Sequence, residues 1–339
     1  MFHALLCNND QHVHFPRRDS QSLSWFEILM TSMARMGPVP DHVAIIMDGN
    51  RRYARRKGLK VRHGHEAGAD NLMNLDRWGK AVGCKELTVY AFSSENFKRS
   101  KEEVDHLMDL MGSQCACWLQ EIESGDIKDV CIQMMGKWDN FPAELRHRMA
   151  NVMQKTRHFK PYKFNIAVGY TGREGILRSL DALSMNNDEQ GEDLHRLMPS
   201  QWNEYLVEQS QHLLDMRPVD LLVRTGGDCR LSDFMMWEAS QACIHFTTVT
   251  WPEFNFKEFI HAMLVYQVHR RKVSKQSLAI GHLSKIELAS VQPVLEKSRN
   301  DRWARIERLA KKDTSIEKIT KIITPPNKLA QILQNLTKF

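Results

Sequence analysis

The densest chemistry in the sequence lies in His42–Lys57, HVAIIMDGNRRYARRK. An apolar run of strand character ends there at Asp48-Gly49-Asn50, and Arg51, Arg52, Arg55 and Arg56 follow at once. A carboxylate beside several guanidinium groups at a strand-to-helix junction suits a magnesium diphosphate. The carboxylate offers the metal a hard oxygen, while guanidinium forks and helix amides offer donors to the phosphate oxygens. Most Asp-Gly dipeptides only make turns. Here the neighbours decide, because cations in a first helical turn oppose the helix dipole and cost stability unless an anion lies between them. Arg224, Arg230 and Ser232 in RTGGDCRLSD form a second cationic group, whose Gly-Gly step lets backbone approach phosphate oxygens closely. Two cationic groups imply two anions. No GxxxxGK[ST] loop is present, and no GxGxxG follows a strand.

These residues need elements to hold them. Apolar runs of strand character cover Val43 to Met47, Leu87 to Phe92, Val130 to Met135, Phe164 to Val168, Leu221 to Val223 and Ile244 to Phe246, separated by long helical segments. That alternation predicts an α/β fold with a largely parallel central sheet flanked by helices. Ligands bind beyond the carboxyl ends of such strands, and Asp48, the Ser93-Ser94-Glu95-Asn96 segment and Arg224 all fall there. Glu102 to Glu123 reads as a helix with an apolar stripe that includes Leu107, Leu110, Met111, Cys115 and Trp118. Such a stripe is more often core than ligand tunnel, although methionine-rich surfaces adapt to flexible apolar guests. The residue types thus lead to a magnesium-dependent transferase of two phosphorylated substrates, one of them a candidate lipid.

Outside this region, residues 1–20 read as a flexible polar terminus. Residues 21–37 read as an amphipathic helix opened by a Ser24/Glu27 capping box, and residues 271–339 as a basic helical extension. The first helix either packs on its own domain or turns its apolar face outward, to a membrane or to a cavity mouth. With 339 residues, 42% hydrophobic and 26% charged, the chain can bury a large core. From Arg270 onward 16 basic residues face 6 acidic ones, leaving 31 against 35 in the body. A solvated helix face explains that charge better than nucleic acid does, since only Trp303 could stack on bases. Seven cysteines without a CxxC pair read as reduced thiols. No apolar run approaches the ~18 residues of a membrane span, so any membrane contact is expected to be peripheral.

The segments HVAIIMDGNRRYARR, TVYAFSSENFKRS, DLLVRTGGDCRLSDFMMW and TWPEF, in that order, closely resemble the cis-prenyltransferase (undecaprenyl diphosphate synthase) family over residues 38–270. The terminal helices make the eukaryotic catalytic-subunit branch, of dehydrodolichyl diphosphate synthase type, the nearest match. The resemblance implies extension of farnesyl diphosphate by successive isopentenyl diphosphate units, with cis double bonds, to a long polyprenyl diphosphate for dolichol synthesis and protein glycosylation. It implies Mg2+ held by Asp48, and an allylic diphosphate cradled by Gly49, Asn50, Arg51 and Arg52, with His65 nearby and Tyr53 on the substrate wall. Ser93, Ser94, Glu95, Asn96 and Phe97 would place the condensing atoms. Asn96 matches the family residue assigned to proton removal, although an amide is a poor base and the released diphosphate is an equally sound acceptor. Arg99, Arg224, Arg230, Leu231 and Ser232 would bind isopentenyl diphosphate.

Three departures from the family pattern stand out. Val61 occupies the place of an arginine found in bacterial members, where Lys60 or Arg62 could substitute. Cys243 and Cys229 replace a glutamate and a histidine near the metal, and neutral cysteine is a poor Mg2+ ligand. After Arg271 the chain continues Lys-Val-Ser without the Arg-x-Gly ending of single-subunit members. The resemblance therefore implies a Nogo-B-receptor-type partner subunit that supplies this ending, on the cytosolic face of the endoplasmic reticulum membrane. Other readings are a non-catalytic scaffold subunit of such a complex, a trans-prenyltransferase and a nucleic-acid-binding module. Retention of the charged motifs, the absence of a DDxxD pair and the charge pattern of the tail count against them in turn.

Overall fold

The computed structural model describes residues 23–185, 204–212, 216–270 and 285–311. The expected flexible terminus, the sequence after Arg270 that lacks the Arg-x-Gly ending, and the tail past residue 311 lie outside this range. Strands β1 (His42–Ile46), β2 (Glu86–Ser93), β3 (Val130–Met135), β4 (Tyr162–Tyr170), β5 (Leu221–Arg224) and β6 (Cys243–Phe246) form one sheet in the order β3-β4-β2-β1-β5-β6, and all its pairings are parallel. All six candidate strands are present. Each is buried along most of its length except β6, whose Ile244 and Phe246 face out at the sheet edge.

Alternation along β1 shows how the layers form. Val43 and Ile45 enter one core with residues of the flanking helices, whereas Ala44 and Ile46 enter a smaller core around Tyr90, Leu222 and Phe234. Helices α3 (Val61–Val82), α4 (Lys101–Ser124) and α5 (Ala143–Thr156) contribute Leu75, Leu107, Trp118 and Met149 to the first core. β1 lies between β2 and β5, so the chain leaves it toward opposite sides of the sheet, and the crevice beyond its carboxyl end is the switch point where open α/β sheets take ligands.

The appended helices are not free of this body. Helix α1 (Trp25–Ala34) has the expected capping box, and Glu27 reaches on to accept a 2.8 Å hydrogen bond from Trp78 Nε1. It buries Thr31 and Ala34, and Gln267 of α8 (Phe256–Arg270) donates to the Ala34 carbonyl at 2.7 Å. Trp25, Ile28, Leu29 and Met33 stay exposed on its other side. Helix α9 (Lys285–Ala310) lays Trp303, Ile306 and Ala310 into the main core, with the Arg157 guanidinium of α5's C-cap stacked 4.1 Å from the Trp303 ring. Farther back, Val291, Val294 and Leu295 meet Leu183 of α6 (Gly172–Met185) and Leu206 of α7 (Glu204–Gln211).

Candidate active site

One cavity of about 850 Å3 opens at the carboxyl ends of β1, β2 and β5 and runs inward between the sheet and helices α3, α4 and α5. Its mouth is lined by seven arginines (Arg51, Arg52, Arg55, Arg99, Arg173, Arg224 and Arg230) and four carboxylates (Asp48, Glu95, Asp228 and Asp233). Its interior is apolar, with Leu72, Phe92, Leu107, Trp118, Met149 and Ile166 among its walls. The stripe on α4 is thus both core and tunnel wall, since Leu107, Leu110, Met111, Cys115 and Trp118 all reach the cavity.

Asp48 is fixed from several sides. Its N–H donates to Thr225 Oγ1 at 2.9 Å, and its carbonyl accepts from the Thr225 hydroxyl and the Trp251 N–H, each at 2.8 Å. Oδ1 accepts the Gly49 N–H at 2.6 Å, and Oδ2 faces Arg224 Nη2 at 2.9 Å and Arg52 Nη2 at 3.0 Å. Burial pushes this carboxyl up, but Arg224 and Arg52 outweigh it and hold the group below its ordinary value, so Asp48 is an anion. Gly49, which caps α2 (Asn50–Arg56), has φ of 106° and would place a Cβ 2.8 Å from Thr250 Cβ, so no other residue fits this turn without strain.

Helix α2 has only seven residues, which changes the dipole argument. Arg51 and Arg52 stand in its first turn, but Arg55 and Arg56 stand in its last, where cations are favoured. Arg56 turns outward to Glu253. Arg51 and Arg55 line the cavity and have no ion-pair partner among the described residues. Helix α3 crosses the start of α2 closely, and a Cβ at Gly64 would fall 2.3 Å from the Asn50 carbonyl oxygen.

The opposite wall is built by the turn after β5. Arg224 is buried, donates to Ser232 Oγ at 2.7 Å and contacts the Arg230 carbonyl. Gly226 and Gly227, with φ of 88° and 90°, are pinned by N–H bonds to the carbonyls of Val249 (2.7 Å) and Thr247 (2.8 Å), and they swing Asp228 back over the rim. There Asp228 meets Arg230 at 2.9 Å, Arg224 at 3.2 Å and Arg52 at 3.7 Å. On the third side, Ser93 caps the 3-10 turn Ser94–Lys98, and its N–H donates to Asn96 Oδ1 at 3.0 Å. The carbonyl oxygen of Asn96 is therefore engaged, and its amide N–H group is what remains for the cavity. Partly buried Glu103 joins two further site residues, accepting from His65 Nε2 at 3.0 Å and Arg99 Nη1 at 2.9 Å. Burial holds His65 below the ordinary imidazole value despite that carboxylate.

Of the residues singled out in the sequence, Asp48, Gly49, Asn50, Arg51, Arg52 and His65 meet Ser93, Glu95, Asn96, Arg99, Arg224, Arg230 and Ser232 around this cavity. Tyr53, Ser94, Phe97 and Leu231 do not reach its wall. Phe97 packs instead on Phe92 and Phe141, at ring separations of 4.9 and 5.6 Å. Leu231 joins the smaller core, Ser94 opens the 3-10 turn, and Tyr53 lies off the face of α2 that carries Arg52 and Arg55. Lys60 and Arg62 also stay off the wall. Cys229 is exposed on the rim, whereas Cys243 opens β6 in register with Leu221, at the end of the sheet opposite Asp48. Sequence reading passed over Asp228, Glu103 and Arg173. Asp228 lay inside a quoted motif, and Glu103 four residues after Arg99 had helical ion-pair spacing as its signal.

A model of the family described as putative undecaprenyl diphosphate synthase matches residues 46–274. The chain belongs to that family, the cis-prenyltransferases. Mouse dehydrodolichyl diphosphate synthase complex subunit is 37% identical over 253 residues, covering 75% of this chain and 74% of the relative. A tritrans,polycis-undecaprenyl-diphosphate synthase (geranylgeranyl-diphosphate specific) of Archaeoglobus fulgidus is 34% identical, covering 72% of this chain and 96% of the relative. Among solved structures, lavandulyl diphosphate synthase from Lavandula x intermedia in complex with dimethylallyl diphosphate superposes with a TM-score of 0.61 at 29% identity, over 68% of this chain and 95% of that one. The cis-prenyltransferase fold expected from the motifs is the fold observed.

Proposed function

We propose that this cis-prenyltransferase extends farnesyl diphosphate with successive isopentenyl diphosphate units to a long-chain dehydrodolichyl-type diphosphate. The observation that carries the reading is one mouth holding two cationic walls, Arg51/Arg52/Arg55 and Arg99/Arg224/Arg230, above an apolar channel. A charged head fits the rim and a growing hydrocarbon fits the channel. In each cycle the allylic carbon–oxygen bond breaks, a carbon–carbon bond forms to isopentenyl diphosphate, and that unit loses a proton while diphosphate departs. Arg51, Arg52 and Arg55 hold the departing diphosphate, and Arg224, Arg230 and Ser232 hold the isopentenyl group. Asn96, whose amide N–H group faces the cavity, orients an oxygen rather than accepting the proton, and the released diphosphate is the stronger base.

Asp48 fits Mg2+, being an ionised carboxylate at the rim, whereas Asn50 Oδ1, although without a hydrogen-bond partner, is buried against Gly68. No set of three His, Cys, Asp or Glu able to hold a metal occurs among the described residues. Substrate phosphates and water would complete the shell, which is the usual habit of this ion. Bound there, Mg2+ supplies Lewis-acid stabilisation of the departing diphosphate.

The relatives named as complex subunits support a catalytic subunit that works with a Nogo-B-receptor-type partner, whereas Cys243 lies at the far end of the sheet from Asp48 and carries no weight on this point. No helix among the described residues is long and apolar enough to cross a membrane, and the exposed side of α1 supports peripheral contact with the cytosolic face of the endoplasmic reticulum. A purified complex carrying Asp48→Ala is expected to lose polymerisation of isopentenyl diphosphate. Undiminished polymerisation would assign the chemistry to the partner and leave this chain a scaffold.

A further inference from the structure

The two carboxylates closest to the arginines are held in different ways. Asp48 is locked by the Gly49 N–H and by main-chain bonds through Thr225 and Trp251. Asp228 has guanidinium partners alone among the described residues: Arg230, Arg224 and Arg52, at 2.9, 3.2 and 3.7 Å. Two of those partners are surface groups, with side chains 70% and 44% exposed for Arg230 and Arg52, and Asp228 itself is one-third exposed. Contacts of this kind at a wet rim are individually weak and exchange easily. The turn that carries Asp228 is fixed by Gly226 and Gly227, so the carboxylate is delivered to this place by the fold while its head group is held by guanidinium contacts alone.

A carboxylate shared by arginines of both cationic walls occupies the position a phosphate oxygen would take. Seven arginines against four carboxylates at the mouth would otherwise bind diphosphate tightly in every cycle, including the diphosphate that must leave before the next unit is added. We propose that Asp228 is an internal competing anion that weakens diphosphate binding and drives its release between elongation steps. The inference rests on the diphosphate-binding reading of this site. When an allylic diphosphate arrives, Asp228 gives up Arg52 to it. When the bond-forming step has freed that diphosphate, the tethered carboxylate, at far higher effective concentration than any solute anion, reclaims Arg52.

A mere positioning role makes the opposite prediction. If Asp228 only held the arginines in register, neutralising it would loosen them and weaken anion binding. Isothermal titration of inorganic diphosphate, with and without Mg2+, into the full-length chain therefore decides between the two. Asp228→Asn and Asp228→Ala should each bind about fivefold more tightly than wild type, the effect of removing one partly exposed charge contact. In the complex, the same variants should show a matching fall in the inhibition constant of diphosphate and a lower ratio of multiple-turnover to single-turnover rate. Unchanged or weaker diphosphate binding by folded variants, checked by circular dichroism melts, overturns the role of Asp228 and leaves the site reading standing. Failure of the wild-type chain to bind diphosphate at all overturns both.

Discussion

The two oxygens of Asp48 do different work: Oδ1 fixes the turn through Gly49, and Oδ2 faces the buried Arg224 and the exposed Arg52. Asp48→Asn keeps the turn but removes the charge, and should lower turnover by roughly two to three orders of magnitude and lower the melting temperature, since the ionised carboxylate that faces Arg224 and Arg52 is lost. Because the folded-state value of Asp48 lies below its ordinary value of 3.8, its contribution to stability is present above that pH and is lost as pH falls through the folded value. His65 has the opposite charge and also a lowered value. The folded chain binds that proton less tightly than the unfolded chain, so stability is whole above about 6.5 and declines as pH drops below it. Denaturant melts between pH 7.5 and 5 should show this decline, and His65→Gln should flatten it. Asp48 and the arginines were legible as residue types, but which of them share a proton donor was not, since Asp228 joins them only after a Gly-Gly turn folds back.

At the scale of elements, continuous apolar runs for the strands and period-3.6 spacing for the helices carried most of the fold. β4 is longer than its apolar run because Tyr162 and Lys163 pair with β3 and β2 beyond the reach of hydrophobicity. The length of α2 was not legible, because it is set by Gly58 and by the crossing of α3, and that length decides which arginines oppose the dipole. Gly64→Ala should push α3 off the Asn50 carbonyl, cost about 1–3 kcal/mol in chemical denaturation and raise KM for the allylic substrate. Helix α9 lies in a stretch whose apolar residues recur at helical spacing and whose charge reads as a solvated face, and its apolar positions meet α5 and α7. Trp303→Ala should cost about 3–5 kcal/mol. No change in the melt would mean that α9 is detached in solution.

For the whole molecule, the sheet switch point gathers charges from three strand ends above an apolar channel, and this convergence was legible from strand ends alone. What the chain lacks was legible only by comparison. Cys243, expected near the metal, is a buried thiol at the far end of the sheet from Asp48, so its substitution says nothing about this chain's own metal shell. The proposed partner requirement is a property of the assembly, and the most direct measurement is made on it. Full-length chain, with and without the partner subunit, is incubated with farnesyl diphosphate, labelled isopentenyl diphosphate and Mg2+, and the products are sized. Long polyprenyl diphosphates with the partner and little product without it are the predicted result. No chain elongation in either condition would contradict the account.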